Sequence, residues 1–243
     1  MSNTKTLSNG LAQYPPHVLR EYALLADGER GILVGPRGEF AWMCAPHWHS
    51  DAVFSSLIGG DGLYAVTPSE RRFVWGGHYE DGSLIWRSRW VTTDSVIECR
   101  EALAFPGRSE TAVVLRRIIA TEAAARVRVT LDARASFGRH PMRDVTHQDG
   151  VFTARTGPLY LRWSGAAGAR GSNNGALVLD LELDPGSHLD LVLEVSERPL
   201  PHEEIEPDVA WRSTEDAWSD AMPPMDDTLA PRDARHAYAV LRG

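Results

Sequence analysis

The sequence is poor in cysteine and has no long apolar run. Its two cysteines, Cys44 and Cys99, lie far apart and outside any Cys-x-x-Cys or Cys/His pair. Isolated cysteines of this kind are typical of buried, reduced thiols rather than of a disulfide framework or a zinc site. No apolar stretch approaches the roughly 20 residues that a bilayer-spanning helix needs, and residues 1–18 lack the charged-then-apolar order of a signal peptide. We therefore expect a soluble chain with no membrane partner and a cytoplasmic location.

Basic residues are outnumbered by acidic ones. The chain has 25 Lys and Arg residues against 33 Asp and Glu residues, which gives a net charge of −8. Phosphate binding needs clustered positive charge, so this balance argues against a nucleic-acid partner. The sequence also lacks the patterns GxSxG, GxGxxG and GxxxxGK followed by Ser or Thr, which mark serine hydrolases and nucleotide sites. We expect no cofactor.

Short apolar stretches recur along residues 23–197, with turn residues between them. This spacing is typical of antiparallel sandwiches rather than of βαβ units. Val127, Val129 and Leu131 alternate with polar residues, so one face of that strand is expected to be wet. The predicted fold is all-β, a large antiparallel sandwich of two stacked sheets. Strands are predicted at residues 23–25, 32–34, 40–45, 63–67, 72–75, 84–92, 95–104, 111–120, 125–135, 151–156, 159–164, 176–183 and 188–197.

The pattern changes near residue 200, where proline and acidic residues interrupt the apolar spacing. We place the β-sandwich domain at residues 1–200, with residues 1–16 as a loose arm. Residues 201–243 are predicted to be a linker with short helices.

The first of these helices is predicted to carry Trp211 and Trp218, with Ser213 or Thr214 as its cap. The second is predicted from Ala230 to Leu241, with Ala234, Tyr238 and Leu241 on one face. An apolar helix face without a partner in the chain indicates that a further domain covers it, and it also favours homo-oligomers.

The densest group of polar and aromatic residues follows the strand predicted at 40–45, and loops at strand ends often carry function. His47 and His49 could bind a divalent ion if this segment is extended, with Asp51 as a third ligand. No second cluster such as HExxH completes the coordination shell, so a hydrogen-bonded loop without a metal is favoured. We take His47, Trp48, His49 and Asp51 as candidates for a substrate-facing loop.

Eight tryptophans could provide stacking surfaces for sugar rings. Trp75, Trp86, Trp90 and Trp163 fall within strand patterns and are expected in the core, whereas Trp48 is the best candidate for an exposed ring.

Glycosidases need two carboxyl groups at a fixed separation across the bond that breaks. Glu98 and Glu101 lie in or beside a strand, and Glu203, Glu204 and Glu206 lie in an acidic segment expected to be solvated. None of these stands out as a catalytic pair.

Several segments follow one another in an order known from one protein family. They are Tyr14 to Pro16, Tyr22 to Asp27, Gly38 to Pro46, Val53 to Gly60, Tyr79 to Thr92, Leu115 to Ile118 and Arg134 to Gly138. On these residues the chain resembles the trehalase-like N-terminal domain of bacterial glycoside hydrolase family 15 proteins, which include glucoamylases and trehalases. Trp211, Trp218 and residues 235–241 are similar to the linker and first barrel helix of these enzymes.

The resemblance implies a β-sandwich that packs on an (α/α)-barrel catalytic domain absent from this chain. The barrel would hydrolyse α-glucosidic bonds in trehalose, maltooligosaccharides or α-glucans, with inversion at the anomeric carbon and two glutamates as general acid and general base. Those glutamates belong to the barrel, so no catalytic residue is assigned here and the chain alone is expected to be inactive. The family segment Pro-Arg-Phe-Asp-Ser-Pro is replaced here by residues 46–51, with His47 and His49 in place of Arg and Asp, so the substrate remains open among α-glucosides.

Two other functions are less well supported by the sequence. An autonomous carbohydrate-binding module would need two or three coplanar exposed aromatic rings on one sheet face. A stand-alone metalloenzyme would need a further ligand near His47, His49 and Asp51.

Overall fold

A computed structural model describes residues 14–243. Within these residues the chain forms sixteen β-strands and two α-helices longer than one turn. The strands are β1 (Ala23–Ala26), β2 (Gly31–Val34), β3 (Phe40–Cys44), β4 (Ala52–Phe54), β5 (Leu63–Pro68), β6 (Val74–Tyr79), β7 (Trp86–Val91), β8 (Val96–Leu103), β9 (Thr111–Ala120), β10 (Ala125–Asp132), β11 (Arg143–Gln148), β12 (Val151–Thr156), β13 (Leu159–Ser164), β14 (Arg170–Gly171), β15 (Leu177–Leu183) and β16 (His188–Ser196).

The helices are α1 (Pro207–Ala221) and α2 (Pro231–Arg242), and both follow the last strand. Short turns of 3-10 helix span Leu19–Glu21 and Ser56–Ile58. A further turn spans Ala135–Gly138. None of the helices within residues 14–243 is long and apolar enough to cross a membrane.

Hydrogen bonds arrange the strands in three antiparallel sheets, and the predicted all-β antiparallel fold is confirmed. The large sheet has eight strands in the order β11-β12-β13-β16-β9-β8-β7-β6, and the two small sheets have the orders β1-β2-β3-β4 and β14-β15-β10-β5. The strands outside the large sheet thus form two small sheets rather than the single second sheet that we predicted. The small sheets meet at an isolated bridge between Glu39 and Ala65. Gly38 permits this approach, because a Cβ atom there would overlap the Val66 carbonyl oxygen.

The main core lies between the large sheet and the two small sheets. Leu191, Leu193 and Val195 of β16 belong to a buried cluster with residues from all three sheets, whereas Val192 belongs to a second cluster on the opposite face of β16. Side chains of a strand alternate between its two faces, so the large sheet is buried on both sides along this strand.

A buried ion pair lies within the main core. Glu101 and Arg116 are both 0% exposed at their side chains, and the guanidinium donates to the carboxylate. The guanidinium lies 4.3 Å from the centroid of the Phe40 ring and 4.7 Å from that of Tyr64. It also donates to the Gly38 carbonyl at 2.7 Å. Two charges in an apolar core are tolerated only when each is paired and hydrogen-bonded, which ties both side chains to a structural role.

Helices α1 and α2 cover part of the outer face of the large sheet. Trp211 and Trp218 of α1 are each 2% exposed, and Ala239 of α2 is fully buried in the same cluster. The Phe105 ring stacks on Trp218 with 3.9 Å between centroids. Three ion pairs connect the helices to the sheet or its loops: Arg100–Glu215, Arg117–Asp208 and Arg235–Asp81. Most of the segment predicted as a linker is therefore packed against the sandwich.

Helix α1 begins before the cap that we predicted. The Glu206 carboxylate caps it by accepting a hydrogen bond from Val209 N at 2.8 Å. Ser213 and Thr214 lie inside the helix, so their assignment as caps was wrong. Pro207, which suggested a break, occupies the first turn, where its missing N–H has no helical partner to lose.

The structure departs in part from the predictions for α2 and for the N-terminal arm. Helix α2 agrees with the prediction within one residue at each end, but Leu241 is 87% exposed. Of the predicted loose arm, residues 1–13 lie outside the described residues. Tyr14, by contrast, is 4% exposed and its hydroxyl lies 3.2 Å from Thr67 Oγ1.

Candidate functional site

The predicted substrate-facing loop connects β3 to β4 and is held by backbone hydrogen bonds. Trp48 N donates to the Glu29 carbonyl at 3.0 Å, and Ser50 N donates to the His47 carbonyl at 3.1 Å. The Ser50 hydroxyl accepts from His47 N at 3.2 Å. His47 is half-buried, whereas Trp48, His49 and Asp51 are exposed. The loop thus presents these side chains to solvent from a fixed backbone.

His47 and His49 are brought together by bends and a turn at residues 45–50 rather than by the extended segment that the metal hypothesis required, and their acidic neighbour is Glu29 rather than Asp51. The two imidazole rings stack with 5.3 Å between centroids and 5° between planes, and His47 Nδ1 lies 3.5 Å from the Glu29 carboxylate. Asp51 acts instead on Cys44, where burial raises the pKa of the thiol and the Asp51 charge raises it further. Among residues 14–243 no three His, Cys, Asp or Glu side chains are arranged to hold a metal ion.

Trp48 rests on the β1–β2 hairpin. Its ring overlaps the space that a Cβ atom at Gly31 would occupy, so glycine at this position makes room for the indole. The side chain remains 48% exposed. A half-exposed indole with one supported face can stack on the apolar face of a sugar ring.

Two further parts of the fold meet the β1–β2 turn beside this loop. Gly107 N, in the β8–β9 connection, donates to the Asp27 carbonyl at 2.8 Å. Gly28 N donates to the Gly243 carbonyl, immediately after α2, also at 2.8 Å. The β3–β4 loop, the β8–β9 connection and the end of α2 therefore all contact one turn.

A buried ion pair stiffens that turn. Arg30 Nε lies 3.3 Å from Asp27 Oδ2, with side chains 0% and 1% exposed, respectively. Asp27 Oδ1 accepts from the backbone N–H groups of Glu29 and Arg30, each at 3.0 Å. Burial raises the pKa of Asp27 and lowers that of Arg30, since it disfavours both charged forms. The pair supports the loop from below and does not face solvent.

The acidic residues considered for catalysis have other roles. Glu101 is fully buried against Arg116, Glu98 accepts from Arg87 at 3.0 Å, and Glu206 caps α1. Glu203 and Glu204 are exposed, as predicted for a solvated segment. Each of these three carboxylates therefore has a structural partner within the described residues.

Of the four strand tryptophans expected in the core, two are buried, one is half-buried and one is exposed. Trp90 and Trp163 are each 1% exposed, as predicted, and their indole N–H groups donate to Pro36 O and Tyr64 Oη. Trp86 is half-buried. Trp75 is 38% exposed, contrary to the prediction, because it lies on the edge strand β6.

The loop and its supporting turn lie within a recognised family region. The sequence model of the family described as trehalase-like, N-terminal, matches residues 11–216. This chain belongs to the trehalase-like N-terminal domain family. The match ends inside α1, so α2 lies beyond it.

Two relatives of this trehalase-like N-terminal domain are named trehalase. Trehalase of Mycobacterium tuberculosis (strain ATCC 25618 / H37Rv) is 32% identical over 110 residues, which make up 42% of this chain and 15% of that protein. Trehalase of Mycolicibacterium smegmatis (strain ATCC 700084 / mc(2)155) is 30% identical over 91 residues, 37% of this chain and 13% of that protein. The chain thus matches only a small part of each relative.

One solved structure aligns with this trehalase-like N-terminal domain. It is provisionally named a kojibiose phosphorylase from the human microbiome, and the alignment covers 89% of this chain and 35% of the phosphorylase chain. The TM-score is 0.40 and the sequence identity 9%.

Proposed function

We propose that this chain is the non-catalytic β-domain of a glycoside hydrolase of the family 15 type, which acts on α-glucosidic bonds in trehalose, maltooligosaccharides or α-glucans. Membership of the trehalase-like N-terminal domain family supports a role beside a glycosidase. The names of the two mycobacterial relatives support the substrate class. In this proposal the (α/α)-barrel supplies both catalytic glutamates, and the β-domain packs on it.

The observation that carries the proposal is the contact between the end of α2 and the turn beneath the candidate loop. Gly243 is hydrogen-bonded to Gly28, and the neighbouring Glu29 carbonyl holds Trp48. A barrel packed against the end of α2 would therefore lie close to Trp48. Leu241, which is 87% exposed, would provide an apolar contact at that junction.

Within this arrangement the β3–β4 loop would form part of the rim of the substrate pocket. Trp48 would stack on a sugar ring. The stacked His47 and His49 side chains would donate hydrogen bonds to sugar hydroxyl groups or accept hydrogen bonds from them. The Arg and Asp of the family segment are charged, so their replacement by histidines would change which α-glucoside is accepted.

An autonomous carbohydrate-binding module built on coplanar aromatic rings is less well supported. The exposed indoles Trp48 and Trp75 belong to different parts of the fold, one in the β3–β4 loop and one on the edge strand β6 of the large sheet. A cytoplasmic location is part of the proposal and is supported by Cys44 and Cys99, which are buried free thiols.

The test is glucose release from trehalose, maltotriose and soluble starch, measured for the 243-residue chain and for a longer form that carries the catalytic barrel. We expect no hydrolysis by the chain alone and hydrolysis by the longer form. In the longer form, Trp48→Ala should raise KM by roughly tenfold, about the 1.4 kcal/mol of one lost stacking contact. Trp75→Ala is the matched control and should leave KM unchanged. Hydrolysis by the chain alone, or a longer form inactive on all α-glucosides, would contradict the proposal.

A further inference from the structure

A groove lies on the outer face of β11, β12 and β13, and neither α1 nor α2 lines it. Its volume is about 560 Å³, within the range of small-molecule sites. Outward-facing side chains of the three strands line its floor, among them Thr146, Thr153, Arg155 and Tyr160. Residues 199–202 and Glu204 line one side.

The wall of this groove is fixed to its floor. Arg162 of β13 is 5% exposed and forms a two-pronged ion pair with Glu194 of the neighbouring β16. The same guanidinium donates to the carbonyls of Pro201 at 2.5 Å and Glu203 at 2.8 Å. A buried, charge-assisted network of this kind holds the crossing segment in place, so the groove is a built concavity rather than a gap beneath a free chain.

The floor combines hydroxyl groups, an aromatic ring and an unsatisfied donor. The hydroxyls of Thr146 and Thr153 lie 2.7 Å apart, and the Arg155 guanidinium lies 4.1 Å from the centroid of the Tyr160 ring. Arg155 Nε is buried but has no hydrogen-bond partner among residues 14–243. A buried N–H without an acceptor is costly. Because Nε is closed to solvent, a ligand would meet the remaining N–H groups of this guanidinium, which lies on the Tyr160 ring.

The acidic side chains of the groove disfavour an anionic ligand. Asp144, Asp149 and Glu204 place three carboxylates there, and Gln148 adds an amide. On the positive side, Arg162 is neutralised by Glu194, which leaves Arg155 as the free guanidinium of the lining. Even with Arg143, which lies 3.9 Å from Asp144, the lining has no surplus of positive charge.

The lining offers carboxylates, an amide, hydroxyls and one arginine beside a tyrosine ring. These groups suit a ligand with many neutral hydroxyl groups. We propose that this groove binds a neutral oligosaccharide, at a site separate from the β3–β4 loop. The Arg155 and Tyr160 side chains form its centre, and the edge carboxylates accept hydrogen bonds from sugar hydroxyls. The ligand class follows from the lining, and only the choice of α-glucosides as first probes rests on the proposed function.

The experiment is a titration of the 243-residue chain with maltoheptaose, trehalose, cellohexaose and glucose 1-phosphate. Binding is measured by calorimetry and by the amide chemical shifts of the ¹⁵N-labelled protein. We expect at least one neutral oligosaccharide to bind, with shifts concentrated in β11–β13. Tyr160→Ala and Arg155→Met should each weaken binding at least tenfold. Asp149→Asn and Thr153→Val, which change exposed side chains and carry little risk to folding, should weaken it severalfold.

Trp75→Ala is the matched control, which removes an exposed indole elsewhere in the fold and should change the affinity less than twofold. Circular dichroism confirms that each variant is folded. The proposal is overturned if the folded chain binds none of the neutral sugars, if glucose 1-phosphate binds more tightly than they do, or if Trp48→Ala abolishes binding while the groove variants retain it. Because this titration uses the chain alone and the hydrolysis test uses the longer form, either proposal can fail while the other holds.

Discussion

Glu39 gives the sharpest link between this structure and a measurable property, the pH dependence of stability. Its side chain is 2% exposed where the two small sheets meet, and its carboxylate accepts a hydrogen bond from Arg37 N at 2.9 Å. Burial raises the pKa of Glu39 from 4.5 to about 7, and the negative charge of Glu101 contributes to the rise. Hydrogen bonds from backbone N–H groups and the charge of Arg37 oppose this rise without cancelling it.

The sign of the effect follows from proton binding. Between pH 4.5 and about pH 7 the folded chain keeps a proton on Glu39 that the unfolded chain has released, so stability falls as the pH rises. The contribution of Glu39 is therefore most favourable below pH 4.5 and fully lost above about pH 7. At 1.36 kcal/mol per pKa unit, the difference between the two pKa values corresponds to about 3 kcal/mol.

Replacing Glu39 by glutamine removes the charge and keeps an acceptor for Arg37 N. The free energy of unfolding, measured by urea denaturation from pH 4.5 to pH 8, should differ little between the two proteins at the acidic end. At pH 8 the variant should be more stable by up to about 3 kcal/mol, or roughly 6–12 °C in Tm for a chain of this size. Glu122→Gln, which alters an exposed side chain, is the control and should change stability by less than about 0.5 kcal/mol at any pH. A stability difference between Glu39→Gln and the parent that does not vary with pH would refute the reasoning.

Two further predictions concern the core and are measured by the same denaturation at pH 7. Arg116→Met should destabilise the fold by about 3–5 kcal/mol, because it leaves the Glu101 carboxylate buried without its partner. The double variant Arg116→Met/Glu101→Leu should recover part of this loss. Equal stability of the single variant and the parent would show that the pair is not buried as described. Trp163→Ala should cost about 3–5 kcal/mol as a large core truncation, whereas Trp48→Ala, at a half-exposed loop position, should cost less than about 1 kcal/mol; a reversed order would contradict the assignment of Trp48 to the surface.

The strands that sequence reasoning placed correctly are those with an apolar face against the main core. Predicted strands at residues 111–120, 151–156 and 159–164 coincide with β9, β12 and β13. The strand β11 was not predicted, because all six of its residues are exposed and no apolar alternation marks it. An edge strand of this kind is defined by pairing with its neighbour, and a pattern of buried side chains cannot reveal it. The short strands β4 and β14 were missed as well.

The candidate loop shows a different limit of prediction from sequence. The spacing of His47 and His49 predicted a shared side only for an extended segment, whereas bends and a turn at residues 45–50 bring their rings together. Their acidic neighbour is Glu29, which lies on another hairpin and has no sequence signal that links it to the loop. Asp51, the partner favoured by proximity in sequence, is exposed, and its charge contributes to raising the pKa of the Cys44 thiol. Short-range spacing predicts which side chains of one segment can meet, whereas partners across hairpins depend on the packing of the sheets.

The two C-terminal helices are fixed relative to the loop. A flexible linker would leave a following domain free to take many orientations, and a rim contact by Trp48 would then be rare. Here Trp211 and Trp218 are buried against the large sheet, and ion pairs from Arg100 and Arg117 connect α1 to it. The Gly243–Gly28 hydrogen bond then ties the end of α2 to the turn that holds Trp48. Because the loop and the end of α2 contact the same turn, their positions relative to each other are fixed, which is the support that the proposed rim contact by Trp48 requires.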